Sequence, residues 1–155
     1  MRYVIARTQF LATGPQRFEI TYASGAPFEA RSSYGTSGTT LTLRDSSGRE
    51  VATVCKRLNG TGRDLCVEGE KVAHVQKRHY ESLSYVIDSD YGITGEGNFG
   101  GGEFKISRDG TVVATTVRQR WRVRFTVDID EGEDQILFLG IALAMAHDFV
   151  SGDKY

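Results

Sequence analysis

Four arginines, Arg118, Arg120, Arg122 and Arg124, alternate with Gln119, Trp121 and Val123 near the end of the chain. On an unbroken strand a period of two places all four guanidiniums on one face. Each guanidinium is a planar fork that matches two phosphate oxygens, and Trp121 suits a membrane interface or a stacked ligand. Lys77 and Arg78, just before His79, are candidates to extend the patch. Beside an anionic membrane such a cluster gains roughly 1 kcal/mol per Lys or Arg. These six residues are the candidate anion site. The competing reading is a solvated outer face whose arginines pair with Glu and Asp of neighbouring strands. A tight turn near residues 119–121 would also break the alternation.

Other reactive residue types form no comparable pattern. The acidic run from Asp128 to Asp134 fails as an EF-hand loop. Counted from Asp128, the sixth position holds Glu133 rather than Gly and the twelfth Leu139 rather than Glu. Helix capping and solvation explain its charges. Asp88 and Asp90 flank a turn. His74, His79 and His147 have no metal-ligand spacing, His74 alternates with apolar neighbours as an outward or edge residue, and no local motif supports a nucleophile–His–Asp set. Gly95 to Gly100 fits the bare spacing G-x-G-x-x-G, yet no helix pattern follows, so a dinucleotide site is rejected. Gly100, Gly101 and Gly102 read as a flexible connection or a bulge. The expectation is a non-enzyme with no cofactor and no metal.

The composition narrows the setting. The chain has 155 residues, 39% hydrophobic, with 19 basic and 20 acidic side chains, 18 Gly, 2 Pro and 2 Cys. That length supports one core and a single domain over 1–155. The charge balance excludes a globally basic nucleic-acid binder. Two cysteines are too few to staple a secreted scaffold; Cys55 and Cys66 could face each other across a hairpin turning near residues 58–63, but free half-buried thiols are the expectation. The first residues lack the apolar run of a signal peptide, which leaves the Asn59-Gly60-Thr61 sequon without use. The expected location is cytoplasmic, peripheral to a membrane if the basic patch binds one.

Elements that would position these residues are mostly strands. Phe18–Ala30, Leu41–Val54, Leu65–Val75 and Phe104–Val117 each read as strand, turn, strand, with turn glycines at Gly25, Gly48, Gly69 and Gly110. The spacing is near 21 residues, and Gly92 or Gly95 marks the turn missing before Gly110. Such a meander must cover its edges, and an all-β barrel is the simplest closure. Asp134 then caps a helix in which Ile136 to Ala146 carry no polar side chain, with His147 in its last turn. A helix apolar all round and too short to span a bilayer fills a core. No transmembrane segment is expected.

The opening Met1-Arg2-Tyr3-Val4, the hairpin Leu43 to Ala52, Gly97-Asn98-Phe99 before Phe104-Lys105-Ile106, and Val127-Asp128-Ile129 leading through Gly132 to the Ala-rich helix occur in a telling order. Together they resemble the LURP-one-related family, grouped with the tubby C-terminal-like fold and the phospholipid scramblases. The resemblance implies a mainly β fold, a closed antiparallel barrel of about twelve strands enclosing a C-terminal hydrophobic helix. It also implies that tubby-type relatives bind phosphoinositide head groups. The chain departs from the family at Val117 to Val123, where a longer Trp-containing loop is usual and the segment here is short and basic. The functional expectation is a non-catalytic binding or scaffold domain for anionic head groups such as phospholipids. A protein–protein interaction module is the alternative.

Overall fold

Alternating apolar and polar residues in short runs produce strands that each bury one face. The computed structural model describes residues 1–8, 16–22, 28–58, 60–79, 82–119 and 123–151. Its strands are β1 (Arg2–Arg7), β2 (Arg17–Tyr22), β3 (Phe28–Gly35), β4 (Gly38–Arg44), β5 (Glu50–Arg57) and β6 (Arg63–Val67). β7 (Glu70–His79), β8 (Ser82–Asp88), β9 (Ile93–Gly97), β10 (Glu103–Arg108), β11 (Thr111–Arg118) and β12 (Arg124–Ile129) follow, and then the helix α1 (Gln135–Ser151).

The strands form one sheet in the order β8-β7-β6-β5-β4-β3-β2-β1-β12-β11-β10-β9. Every ladder is antiparallel, and the first and last strands pair, Tyr3 opposite Val127 and Ile5 opposite Phe125. The result is a nearly closed barrel whose seam falls between the consecutive strands β8 and β9. Side chains close the seam where the ladder does not. The Tyr85 ring meets Phe99 and Phe104 edge-on at 6.0 and 6.3 Å.

Turn chemistry follows the expected repeat. Gly48, Gly69, Gly92 and Gly110 all take positive φ in connections between successive strands, where a side chain is disfavoured. Gly92 therefore supplies the missing turn, whereas Gly95 lies inside β9. Gly25 lies outside the described residues.

The interior is filled by α1. Asp134 Oδ1 accepts a hydrogen bond from the Leu137 amide at 3.1 Å, the cap expected of that residue. Phe138, Leu139 and Ile141 to Ala146 are fully buried among the inward residues of the strands. Gly140 is where helix and wall come closest, since a Cβ there would lie 2.6 Å from Leu65 Cδ1. The helix runs to Ser151, so His147 is not in its last turn as expected. It is buried at 3% exposure, and its Nδ1 accepts from Arg63 Nε at 3.1 Å.

Candidate functional site: a basic rim

Odd-numbered strands all run toward one rim of the barrel and even-numbered strands run away from it, because every pairing is antiparallel. At the rim where β1 ends, the strand termini supply Arg7, Arg17, Lys56, Arg57, Arg63, Lys77, Arg78, Arg118 and Arg124. Among the described residues the acidic side chains near that rim are Asp64 on β6, Glu96 on β9, Glu103 at the start of β10 and Asp148 on α1. The other rim holds Asp45, Glu50, Glu68, Glu70, Asp88, Asp90, Asp109 and the run Asp128 to Asp134, against Arg2, Arg44, Arg49, Lys71 and Arg108. A chain of net charge -1 is thus strongly polarised along the barrel axis. Ion pairs hold down part of the acidic end, with Arg2 on Asp128 at 2.8 Å and Arg108 on Glu133 at 3.1 Å.

The basic rim also carries a cleft of about 680 Å³ between the β3–β4 and β5–β6 connections. Lys56, Arg57 and Leu58 line it, opposite the hydroxyl-bearing Thr36, Ser37, Thr39 and Thr40. Leu58 is 69% exposed, and Tyr34, near the end of β3 on the same rim, is 62% exposed. Cations and hydroxyls suit phosphate oxygens, and exposed tyrosine and leucine suit the head-group level of a bilayer. Val117 is exposed at the same rim, Tyr91 and Val112 at the acidic one. A second cleft, about 590 Å³, lies over the outer faces of β2, β3 and β4. Its charges are already matched, as Glu29 takes Arg17 at 3.3 Å and also Arg31. The Arg31 hydrogen bond, helped by Arg17, holds the Glu29 carboxyl below its usual range.

The structure divides the residues singled out in the sequence. Arg118 closes β11 and Arg124 opens β12, and the Gln119 amide bonds the Arg124 carbonyl at 2.9 Å across a hairpin. The expected unbroken strand is therefore a hairpin, and Arg118 and Arg124 lie on different strands. Arg118 pairs with the buried Phe125 and points inward, its guanidinium 4.5 Å from the Phe149 ring centroid. Arg124, the neighbour of Phe125, faces outward. Arg120, Trp121 and Arg122 lie outside the described residues. Lys77 and Arg78 do stand on the same rim, at the end of β7. Sequence reasoning passed over Lys56, Arg57 and Leu58, whose signal was a basic pair and an apolar residue at a strand terminus.

A family model described as LURP-one-related matches residues 1–146. The chain belongs to the LURP-one-related family. Searches of curated proteins and of solved structures returned no match.

In this LURP-one-related barrel the helix end is fastened from within. Arg63, 2% exposed, spans His147 and Asp148, reaching the latter's Oδ1 at 2.7 Å. Tyr85 donates to Asp148 Oδ2 at 2.6 Å, and Lys77 Nζ stands 3.8 Å from the same oxygen. Asp148 thus neutralises two cations at the basic rim.

The other titratable cluster lies on the outer face of β5, β6 and β7. His74 Nδ1 and Lys71 Nζ approach Asp64 Oδ1 at 2.7 and 3.2 Å. Burial pushes the Asp64 carboxyl up, but the His74 and Lys71 hydrogen bonds and charges outweigh it and leave the carboxyl below its ordinary range. Cys55 and Cys66 are free thiols, half-buried as expected. Cys55 faces Asp64 and Cys66 faces Thr53, so the sulfurs are diagonal neighbours. Such pairs sit about 7–8 Å apart, beyond the reach of a disulfide. Burial, with Cys55 and Asp64 nearby, pushes the Cys66 thiol up, which makes it a poor nucleophile at neutral pH. Among the described residues no group of three or more His, Cys, Asp and Glu is arranged to hold a metal ion. No helix there is long and apolar enough to cross a membrane.

Proposed function

We propose that this domain is a non-catalytic binding module that docks its basic rim on anionic phospholipid head groups at the cytoplasmic face of a membrane. The observation that carries the reading is the segregation of charge to opposite ends of the barrel. The field of such a dipole steers the basic end toward an anionic surface and turns the acidic end away. The Lys56–Arg57 cleft supplies cations and hydroxyls for phosphate, while Tyr34 and Leu58 enter the interface.

Co-sedimentation with vesicles tests this. Vesicles of phosphatidylcholine with phosphatidylserine should retain the protein, and pure phosphatidylcholine should not. At roughly 1 kcal/mol per cation near the surface, combining Lys56→Glu, Arg57→Glu and Arg78→Glu should weaken binding about a hundredfold or more. Raising salt should have a similar effect. Equal retention by both vesicle types, or indifference to the triple reversal, would sink the reading. In that case a polypeptide partner becomes the better account.

A further inference from the structure

The basic rim is closed on one side by a loop rather than by strand or helix. Between β9 and β10, Phe99 is fully buried while Gly97, Asn98, Gly101 and Gly102 on either side of it are exposed. The Phe99 ring stacks on Phe125 at 4.3 Å, and Phe125 in turn meets Phe149 of α1 at 5.6 Å. Tyr85 forms the remaining wall.

Few bonds hold this loop in place. Asn98 N bonds the Glu103 carbonyl at 3.1 Å, and the Asn98 side chain accepts from Gly100 N and Gly101 N within the loop itself. Arg118 Nη1 reaches the Gly100 carbonyl at 2.8 Å. Strand β9, which leads into the loop, has no ladder on its β8 side. Glycines at 100, 101 and 102 leave the connection free to swing. Gly97, Asn98, Gly101 and Gly102 are solvent-exposed, so opening costs mainly the withdrawal of the Phe99 ring from Phe125 and Tyr85.

Swinging Phe99 out would leave a slot walled by Tyr85, Phe125 and Phe149. Arg118 would stand at its mouth, freed from Gly100, with an Nε that has no hydrogen-bond partner among the described residues. An apolar slot with a guanidinium at its entrance matches a hydrocarbon chain ending in a phosphate or carboxylate. We propose that the Phe99 loop is a latch over a slot for one acyl chain of an anionic lipid, with Arg118 receiving the charged end. This rests on the anionic head-group reading and names a deeper part of the same rim.

Calorimetric titration with dodecyl phosphate, kept below its micelle concentration, tests the slot. The folded protein should take up one equivalent, and glycerol phosphate should bind at least a hundredfold more weakly. Phe99→Ala should bind dodecyl phosphate about tenfold more tightly, because the competent open state no longer has to be paid for by expelling the ring. Phe99→Leu should show a smaller gain and serves if the alanine variant does not fold. Arg118→Gln should bind about tenfold more weakly while keeping its far-UV spectrum.

Absence of saturable uptake by the wild type and both Phe99 variants overturns the slot. So does equal binding of glycerol phosphate, or an affinity that Phe99 substitution does not change. Vesicle binding without dodecyl phosphate uptake removes the latch and leaves the rim reading intact. Uptake without any preference for acidic vesicles removes the rim reading and keeps the slot.

Discussion

Arg63 is the residue on which the inner polar network depends. Its guanidinium is out of contact with water and is satisfied by His147 and Asp148. Removing Arg63 leaves Asp148 with Tyr85 and the more distant Lys77, which puts the loss at the lower end of the roughly 3–5 kcal/mol that breaking a buried pair costs. Arg63→Ala should therefore lower stability by about that amount in urea unfolding. A loss below about 1 kcal/mol would show that Asp148 is solvated well enough to stand alone. Nothing in the sequence pointed to this residue, because Arg63 and Asp148 are 85 positions apart. The arginine alternation, by contrast, was visible and its geometry misleading. Period two implies a common face only along an unbroken strand, and the hairpin at 119–124 reverses the chain within the motif.

At the scale of elements, most of the architecture was legible. Asp134 as a cap, the all-apolar helix and the turn glycines each reflect local chemistry that operates within a few residues. What local chemistry omits is the close approach of elements far apart in the chain. Gly140 shows this: read alone it weakens a helix, yet it is the contact that lets α1 lie against Leu65 of β6. Gly140→Ala gains helix propensity of about 1 kcal/mol but overpacks a closed core by about 1–3 kcal/mol. The variant should lose stability on balance. In combination with Leu65→Ala its effect should reverse sign, and a double-mutant cycle measures the coupling. Additive effects would place the contact elsewhere.

The whole molecule adds properties that belong to no single strand. Charge polarity along the axis arises because the meander sends odd strand ends to one rim and even strand ends to the other. The seam is a second such property. Backbone amides on the open edges of β8 and β9 have no ladder partner across the gap, whereas β1 and β12 are paired on both sides. Hydrogen exchange should therefore be faster along β8 and β9 than along β1 and β12. Uniform protection across all four strands would mean that side chains such as Tyr85 seal the seam as firmly as hydrogen bonds do.

Pairing of the first strand with the last also governs how the chain is made. During synthesis β1 acquires β2 early, but its other edge waits until β12 emerges more than a hundred residues later. The helix that fills the interior follows all twelve strands, so a nascent chain holds a curved sheet with its apolar face unfilled. Long-range closure of this kind is slow and leaves sticky surface exposed. Completion of α1, from Gln135 to Ser151, is thus the event that converts a growing, aggregation-prone ribbon into a finished domain.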